Sequence, residues 1–195
     1  MAEFNDWKKL EQLDSNLIKD FVNAFDIVFH KDEEDLRQLF DNPSMEKTDI
    51  DNRVRKLNTL YHTRLWDEHI KSIVKFLSDE GEDFEKKILS GDIEVVEQIA
   101  RCGGKNWFVF ATKYSSFVNK DDKYPIFDHL VAKSLSYFLD IRTQEFENIR
   151  QECDYARYKE IVKGFRDQYS LGFKYKDIDK FLWLVGKNLK DDKRG

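Results

Sequence analysis

The sequence predicts an all-α fold of about nine or ten helices, many of them short, forming a single domain over residues 1–195. Three observations carry that reading. Two prolines, Pro43 and Pro125, and eight glycines leave long stretches without a helix breaker. Apolar residues recur at three and four positions, the period of a helix with one buried face. Strand-like alternation is scarce, and the few β-branched clusters fall inside helical patterns. A chain of 195 residues buries about 70% of its unfolded surface, so no disulfide or metal staple is needed.

The elements follow in order. Ser15 is placed to cap a helix near 15–30, on which Leu17, Ile18, Phe21, Val22, Phe25 and Val28 make a buried stripe. A short helix around Glu34–Phe40 ends at Asn42-Pro43, and Thr48 or Asp49 caps the next, which carries Val54, Leu57 and Leu60. Leu65, Trp66, Ile70, Ile73, Val74 and Leu77 form a further stripe, interrupted at Gly81. Phe84, Ile88 and Leu89 lie on a short helix stopped by Gly91, and Asp92 opens another that runs to Cys102-Gly103-Gly104. Trp107 to Val118 is apolar enough to be a buried helix. After the polar loop 119–123, Pro125 biases Tyr124-Pro-Ile-Phe127 toward extended backbone, and Asp128 is placed to cap the helix bearing Leu130, Val131, Leu135, Phe138 and Leu139. Helices near 154–170 and 177–189 complete the chain.

Aromatic residues make up 14% and charged residues 36%, a separation into core formers and solvated faces that argues against global disorder. Cys102 and Cys153 are too few for a secreted disulfide framework and lack the companions of a zinc site, so a reducing cytoplasm is expected and no metal. The N-terminus has no apolar leader segment, and apolar runs fall far short of the roughly 18 residues of a membrane span, so export and membrane anchoring are not expected. A net charge of −5 removes the global attraction to phosphate backbones that a basic protein has, leaving local clusters of Lys and Arg as the route to nucleic acid. The Lys187–Lys193 run is mixed in sign and reads as a frayed tail. No Ser-His-Asp order, Walker loop, dinucleotide glycine motif or His-x-x-x-His spacing is present.

Chemistry concentrates between Asp92 and His129. Asp92-Ile-Glu-Val-Val-Glu-Gln-Ile-Ala-Arg-Cys-Gly-Gly-Lys105 reads as an acid-capped helix, a glycine hairpin and a lysine, and Pro125-Ile-Phe-Asp128-His129 follows about twenty residues on. This order resembles the helix-hairpin-helix DNA glycosylases. The hairpin here reads Ile99-Ala-Arg-Cys-Gly103, without that family's proline and first glycine, and the four cysteines of its iron–sulfur members are absent. The resemblance implies DNA as partner, no cofactor, Lys105 as the nucleophile of the bifunctional members, and Asp128 as the carboxylate that stabilises an oxocarbenium-like sugar. It also implies that Gly103 and Gly104 hold a backbone phosphate through their amides. Leu57-Asn-Thr-Leu-Tyr-His-Thr-Arg64, Phe110-Ala-Thr-Lys-Tyr114, Tyr124-Pro-Ile-Phe-Asp128 and Asp179-Lys-Phe-Leu-Trp183 are similar to a group of uncharacterised bacterial proteins, and in that pattern Lys113 is a second candidate lysine.

Each candidate has a structural alternative. Asp128 serves equally as an N-cap, Lys105 as a solvated first-turn residue, and Lys113 as a side chain snorkelling from a buried helix. His62 and Arg64 line a cleft or pair across a turn, and His129 is a rim histidine rather than a partner of its neighbour Asp128. Trp107, Phe108, Phe110, Tyr114 and Phe117 have core spacing, although such rings also stack on a flipped base. Two functions from different classes follow: a DNA-binding, glycosylase-like enzyme or its catalytically degenerate relative, and a noncatalytic helical interaction module. A cleft that joins Asp128 to a lysine, bordered by positive charge, favours the first. Scattered side chains favour the second.

Overall fold

In a computed structural model, which describes residues 13–41, 46–169 and 171–189, the molecule is built around a helix that solvent hardly touches. That helix is α5 (Phe108–Val118), whose polar members Thr112, Lys113, Ser115 and Ser116 are as buried as its phenylalanines. Before it in the chain come α1 (Ser15–Asp41), α2 (Lys47–Tyr61), α3 (Asp67–Ser90) and α4 (Glu94–Arg101), then a 3-10 turn at Cys102–Gly104. After it come α6 (His129–Leu139), α7 (Thr143–Glu152), α8 (Tyr155–Gln168) and α9 (Tyr175–Asn188). The described residues contain no strand, so the fold is all-α.

The most extensive packing joins α6 to α9, α4 to α5, α2 to α3 and α1 to α9. Gly186 explains how closely α6 and α9 approach, because a Cβ there would lie 2.1 Å from the Leu130 carbonyl oxygen. Beside it, the Ser134 hydroxyl is 2.6 Å from the Leu182 carbonyl oxygen.

Several local readings are corrected. The helix expected near 15–30 and the short helix expected around Glu34–Phe40 are one helix, α1, because the polar residues between them contain neither Gly nor Pro and interrupt only the apolar pattern. Asp14, not Ser15, is its cap, accepting from the amides of Asn16 and Leu17. Neither Thr48 nor Asp49 caps α2, which starts at Lys47. Val28 is 68% exposed and Trp66 70% exposed. The buried face of α1 continues as Phe25, Phe29 and Glu33 at spacing four, leaving Val28 about 100° off it. At Gly81 the backbone leaves helical geometry (φ 67°, ψ −158°), so α3 is two helical segments joined at the interruption the sequence predicts, the second capped by Gly91. Lys105 does not open a helix, since α5 starts three residues later, where the Asn106 side chain accepts from the Phe108 amide. Helix α7 had no counterpart in the sequence reading. Asn42-Pro43 and most of the run after Lys187 lie outside the described residues.

Candidate functional site

The segment Tyr124–Phe127 is buried outside any helix and leads into Asp128 in extended backbone, so its backbone polar groups need partners inside the protein. Helix α8 supplies them. Tyr155 donates its hydroxyl to the Pro125 carbonyl and Tyr158 to that of Ile126, while the Phe127 amide donates to Thr112 Oγ1 on α5. These bonds fix the entry into α6 and therefore the position of Asp128.

Asp128 uses its two oxygens for different purposes. Oδ1 accepts from the Leu130 amide at 3.0 Å, which is the N-cap the sequence predicts, and Oδ2 accepts from Lys113 Nζ at 3.0 Å. The Lys113 side chain is only 3% exposed and that of Asp128 21%. Lys113 therefore does not snorkel to solvent: its ammonium ends on a carboxylate, with the Tyr61 ring 4.8 Å away. An ammonium this buried is tolerable because it is paired.

This pair lies in the wall of a cavity of about 500 Å³ between α1, the C-terminal end of α2, α5, the start of α6 and α9. That volume is within the roughly 300–1,000 Å³ of small-ligand sites. Phe25, Phe29, Tyr61, Phe117 and Trp183 line it with aromatic surface, and Phe25 and Phe29 each meet Trp183 edge-on at 5.7 Å. Lys180 ties α9 to α1 by ion pairs to Asp26 at 2.6 Å and Glu33 at 3.2 Å. Burial opposes the charge of Lys180, but these two carboxylates raise its pKa overall.

Two further cations, Arg37 and Lys176, line the cavity without a carboxylate partner among the described residues. Burial and then the nearby Arg37 charge lower the Lys176 pKa. Glu33 and Asp122 act on Lys176 in the opposite direction without forming an ion pair, and an anion joining Arg37 and Lys176 would relieve their mutual repulsion. Asp179 is the second carboxyl of the cavity, and its Oδ1 is out of solvent without a hydrogen-bond partner. Such an orphan costs about 1–3 kcal/mol. Burial first, and then the negative charge of Asp128, push its carboxyl well above the ordinary carboxylate range, against the opposing pull of Lys113.

The structure thus brings together Asp128, Lys113 and His62, the last lining the cavity with its backbone at φ 47°. It leaves Lys105, Gly103, Gly104 and Arg64 outside the cavity lining. Lys105 Nζ sits 2.9 Å from His69 Nε2, in a cluster where the His69 ring contacts Trp107 and the exposed Trp66. Gly103 and Gly104 form an exposed turn at φ 76° and 73°, values that favour glycine. Arg64 is exposed, also at positive φ. Of the α5 aromatic set, Phe108, Phe110 and Tyr114 are core, while Phe117 reaches the cavity. The sequence reading missed Asp179, Trp183, Lys176 and Arg37 as site residues. Their signal was present only as a carboxyl and an indole four apart on one helix face, Asp179 and Trp183. No group of three or more His, Cys, Asp or Glu side chains among the described residues is arranged to hold a metal, and no described helix is long and apolar enough to cross a membrane.

Residues 4–122 match the family HI_0787_N, an N-terminal domain. An uncharacterised protein of Haemophilus influenzae is 30% identical over 158 residues, covering 79% of this chain and 71% of the relative. No solved structure matches the chain. Neither comparison connects the chain to the helix-hairpin-helix DNA glycosylases, whereas the expected kinship with uncharacterised bacterial proteins is found. With the match spanning more than half of its length, the chain belongs to the HI_0787_N family.

Proposed function

We propose that the protein is a DNA-binding N-glycosylase with lyase chemistry, of helix-hairpin-helix type, that takes a flipped nucleotide into the aromatic cavity. The observation that carries this reading is the 3.0 Å contact of Lys113 with Asp128 in that cavity. The target base has to leave the stack to reach buried side chains, and aromatic walls compensate for the lost stacking.

In this reading Asp128 faces the sugar and stabilises the positive charge that grows on it as the C1′–N bond breaks. The bonding pair leaves with the base. Lys113 Nζ gives up one proton, which ends on the departing base, and its lone pair forms the new bond to C1′. The C1′–O4′ bond then breaks, its electron pair leaving with O4′, which takes a second proton from Nζ, and the freed nitrogen lone pair completes the iminium ion. Lys113 is preferred to Lys105 as nucleophile because Lys113 shares the cavity with Asp128, while Lys105 pairs with His69 outside its lining. Arg37 and Lys176 are assigned to phosphate, as cations without carboxylate partners among the described residues. His62, Arg64, Gly103, Gly104 and Lys105 are assigned to the DNA strand around the extruded nucleotide, where contacts position rather than specify.

The test is base release and duplex retention on a panel carrying damaged, mismatched and abasic nucleotides. Asp128→Asn keeps the cap and is expected to bind the duplex as wild type does while base release falls by about 10²–10³, the magnitude of one lost electrostatic stabiliser. Lys105→Ala is expected to retain release. No duplex binding and no release by wild type would leave the helical interaction module, with Lys113 and Asp128 as a structural pair.

A further inference from the structure

Helix α1 turns one face to the cavity and the opposite face to solvent, and that outer face is not the polar surface a solvated helix carries. Ile27 is 84% exposed and Val28 68%, with exposed Ala24 one turn before them. Helix propensity does not account for two adjacent β-branched residues there, since Lys, Glu and Gln favour a solvated helix more. Nor do they serve the cavity, whose α1 members are Phe25, Phe29, Glu33 and Arg37. At about 100° per residue, Asp20, Ala24, Ile27 and Lys31 fall along one line of the helix, with Asn23 and Val28 on either side. All of these side chains are exposed.

The ends of the line carry opposite charges and its middle carries none. Asp20 and Lys31 are about 16 Å apart along the axis, at the helical rise of roughly 1.5 Å per residue. Neither has an ion-pair partner among the described residues, and Asp35, one turn beyond Lys31, pairs with Lys56 instead.

We infer that this face is the contact with a second copy of the chain, the two α1 helices packing antiparallel about a twofold axis that passes between Phe25 and Asp26. In that register Asp20 meets the partner's Lys31 at each end, and Ala24 meets the partner's Ile27 on each side of the axis. Val28 lies against the partner's Asn23. In a twofold contact every pairing occurs twice, so one Asp–Lys match supplies two interfacial ion pairs. A parallel pair would set aspartate on aspartate and lysine on lysine, which like charge disfavours. Ala24 has the smallest side chain on the line, so the axes can approach to the close end of the usual spacing of about 8–10 Å while Ile27 fills the gap. Three apolar residues a side are far fewer than the roughly 20–30 residues of a standard interface, so the dimer is weak and concentration-dependent. The inference does not rest on the nucleotide reading, and the cavity, on the opposite side of α1, is left uncovered.

The experiment is sedimentation velocity of the full chain over roughly the micromolar to millimolar range, at low and high salt. Wild type is expected to shift from monomer toward dimer as concentration rises, and to shift less at high salt. Asp20→Lys and Lys31→Asp each set like charges against one another at both ends and should weaken self-association by about ten-fold or more. Mixed in equal amounts, these two variants re-form both charge pairs between unlike chains, so the mixture should dimerise as wild type does. Ile27→Gln should abolish the dimer and leave thermal unfolding at low concentration unchanged, because Ile27 is solvated in the monomer. A monomer at every concentration overturns the inference and leaves the face to another occupant, such as residues 1–12 of the same chain. A dimer that neither charge reversal nor Ile27→Gln weakens uses a different face and overturns it equally.

Discussion

Asp128 and Asp179 are two carboxyls in one cavity with opposite treatment. Asp128 satisfies a helix amide with one oxygen and a buried ammonium with the other. Removing both contacts by Asp128→Ala leaves Lys113 buried without its counter-charge and is expected to destabilise the chain by about 3–5 kcal/mol in denaturant unfolding. Asp128→Asn also removes the counter-charge but retains the cap, and is expected to lose less by about the 1 kcal/mol of that cap. Asp179 has neither contact, and burial raises its pKa in the folded chain. Its unfolded carboxyl ionises near the ordinary Asp value of about 3.9, so the contribution of this group is fully present below that pH and is lost as pH rises through the higher folded value. Asp179→Asn, which has nothing to ionise, is therefore expected to melt higher than wild type at pH 7–8, each 1 kcal/mol appearing as about 2–4 °C in Tm. The gain should disappear below about pH 4. Equal Tm values for the two proteins at both pH values would contradict a raised Asp179. Asp128 was legible in the sequence because a cap before an apolar helical pattern has a local signature. The orphaned state of Asp179 was not, because it depends on what four other helices fail to offer it.

Helix α9 is the element on which the site depends. It carries Lys176, Asp179, Lys180 and Trp183 on its cavity side, and Asp122 caps it across the fold by accepting from the amides of Tyr175 and Lys176. Its other side is set by contact with α6 at Gly186. Gly186→Ala would drive a methyl group into the Leu130 carbonyl and is expected to destabilise by about 1–3 kcal/mol or more, read as a lower denaturant midpoint. Because Leu130 also lines the cavity, the same variant should weaken base binding. The helical period located α6, α8 and α9 within a few residues, since each has a strong apolar face, and α5 was legible from its apolar content, being buried nearly all round. It split α1, where polar residues interrupt the stripe without breaking the backbone, and it passed over α7, whose buried apolar residues are only Phe146 and Ile149. The cavity itself was not legible, because Phe25, Phe29 and Trp183 have the spacing of ordinary core residues. Only the approach of α1 to α9 turns them into walls.

At the level of the whole molecule, a net charge of −5 is distributed unevenly. Arg37, Lys113, Lys176 and Lys180 converge on one cavity that Glu33, Asp128 and Asp179 also line, and with Lys113 and Lys180 paired, Arg37 and Lys176 are the cations there without a carboxylate partner among the described residues. If Arg37 and Lys176 each neutralise one phosphate, substituting either with Ala should weaken duplex binding and flatten the plot of log affinity against log salt by about 0.9. Substituting Lys75, which pairs with Asp79 on the exposed face of α3, should leave that slope unchanged. An unaltered slope for both cavity variants would remove phosphate as their partner. The all-α class was readable from the scarcity of breakers and the helical period alone. The order of Lys113, Asp128 and Asp179 along the chain carried no such information, since their meeting depends on how α8 pins residues 124–128 against α5.

In the proposed reaction Lys113 attacks the sugar carbon in a cavity it shares with Asp128. The most direct measurement is borohydride reduction of the full chain mixed with an abasic duplex, followed by peptide mapping of any covalent adduct, with Lys113→Ala and Lys105→Ala in parallel. An adduct on Lys113 is expected, abolished by Lys113→Ala and retained by Lys105→Ala. An adduct mapped to Lys105, or none in wild type, would contradict it.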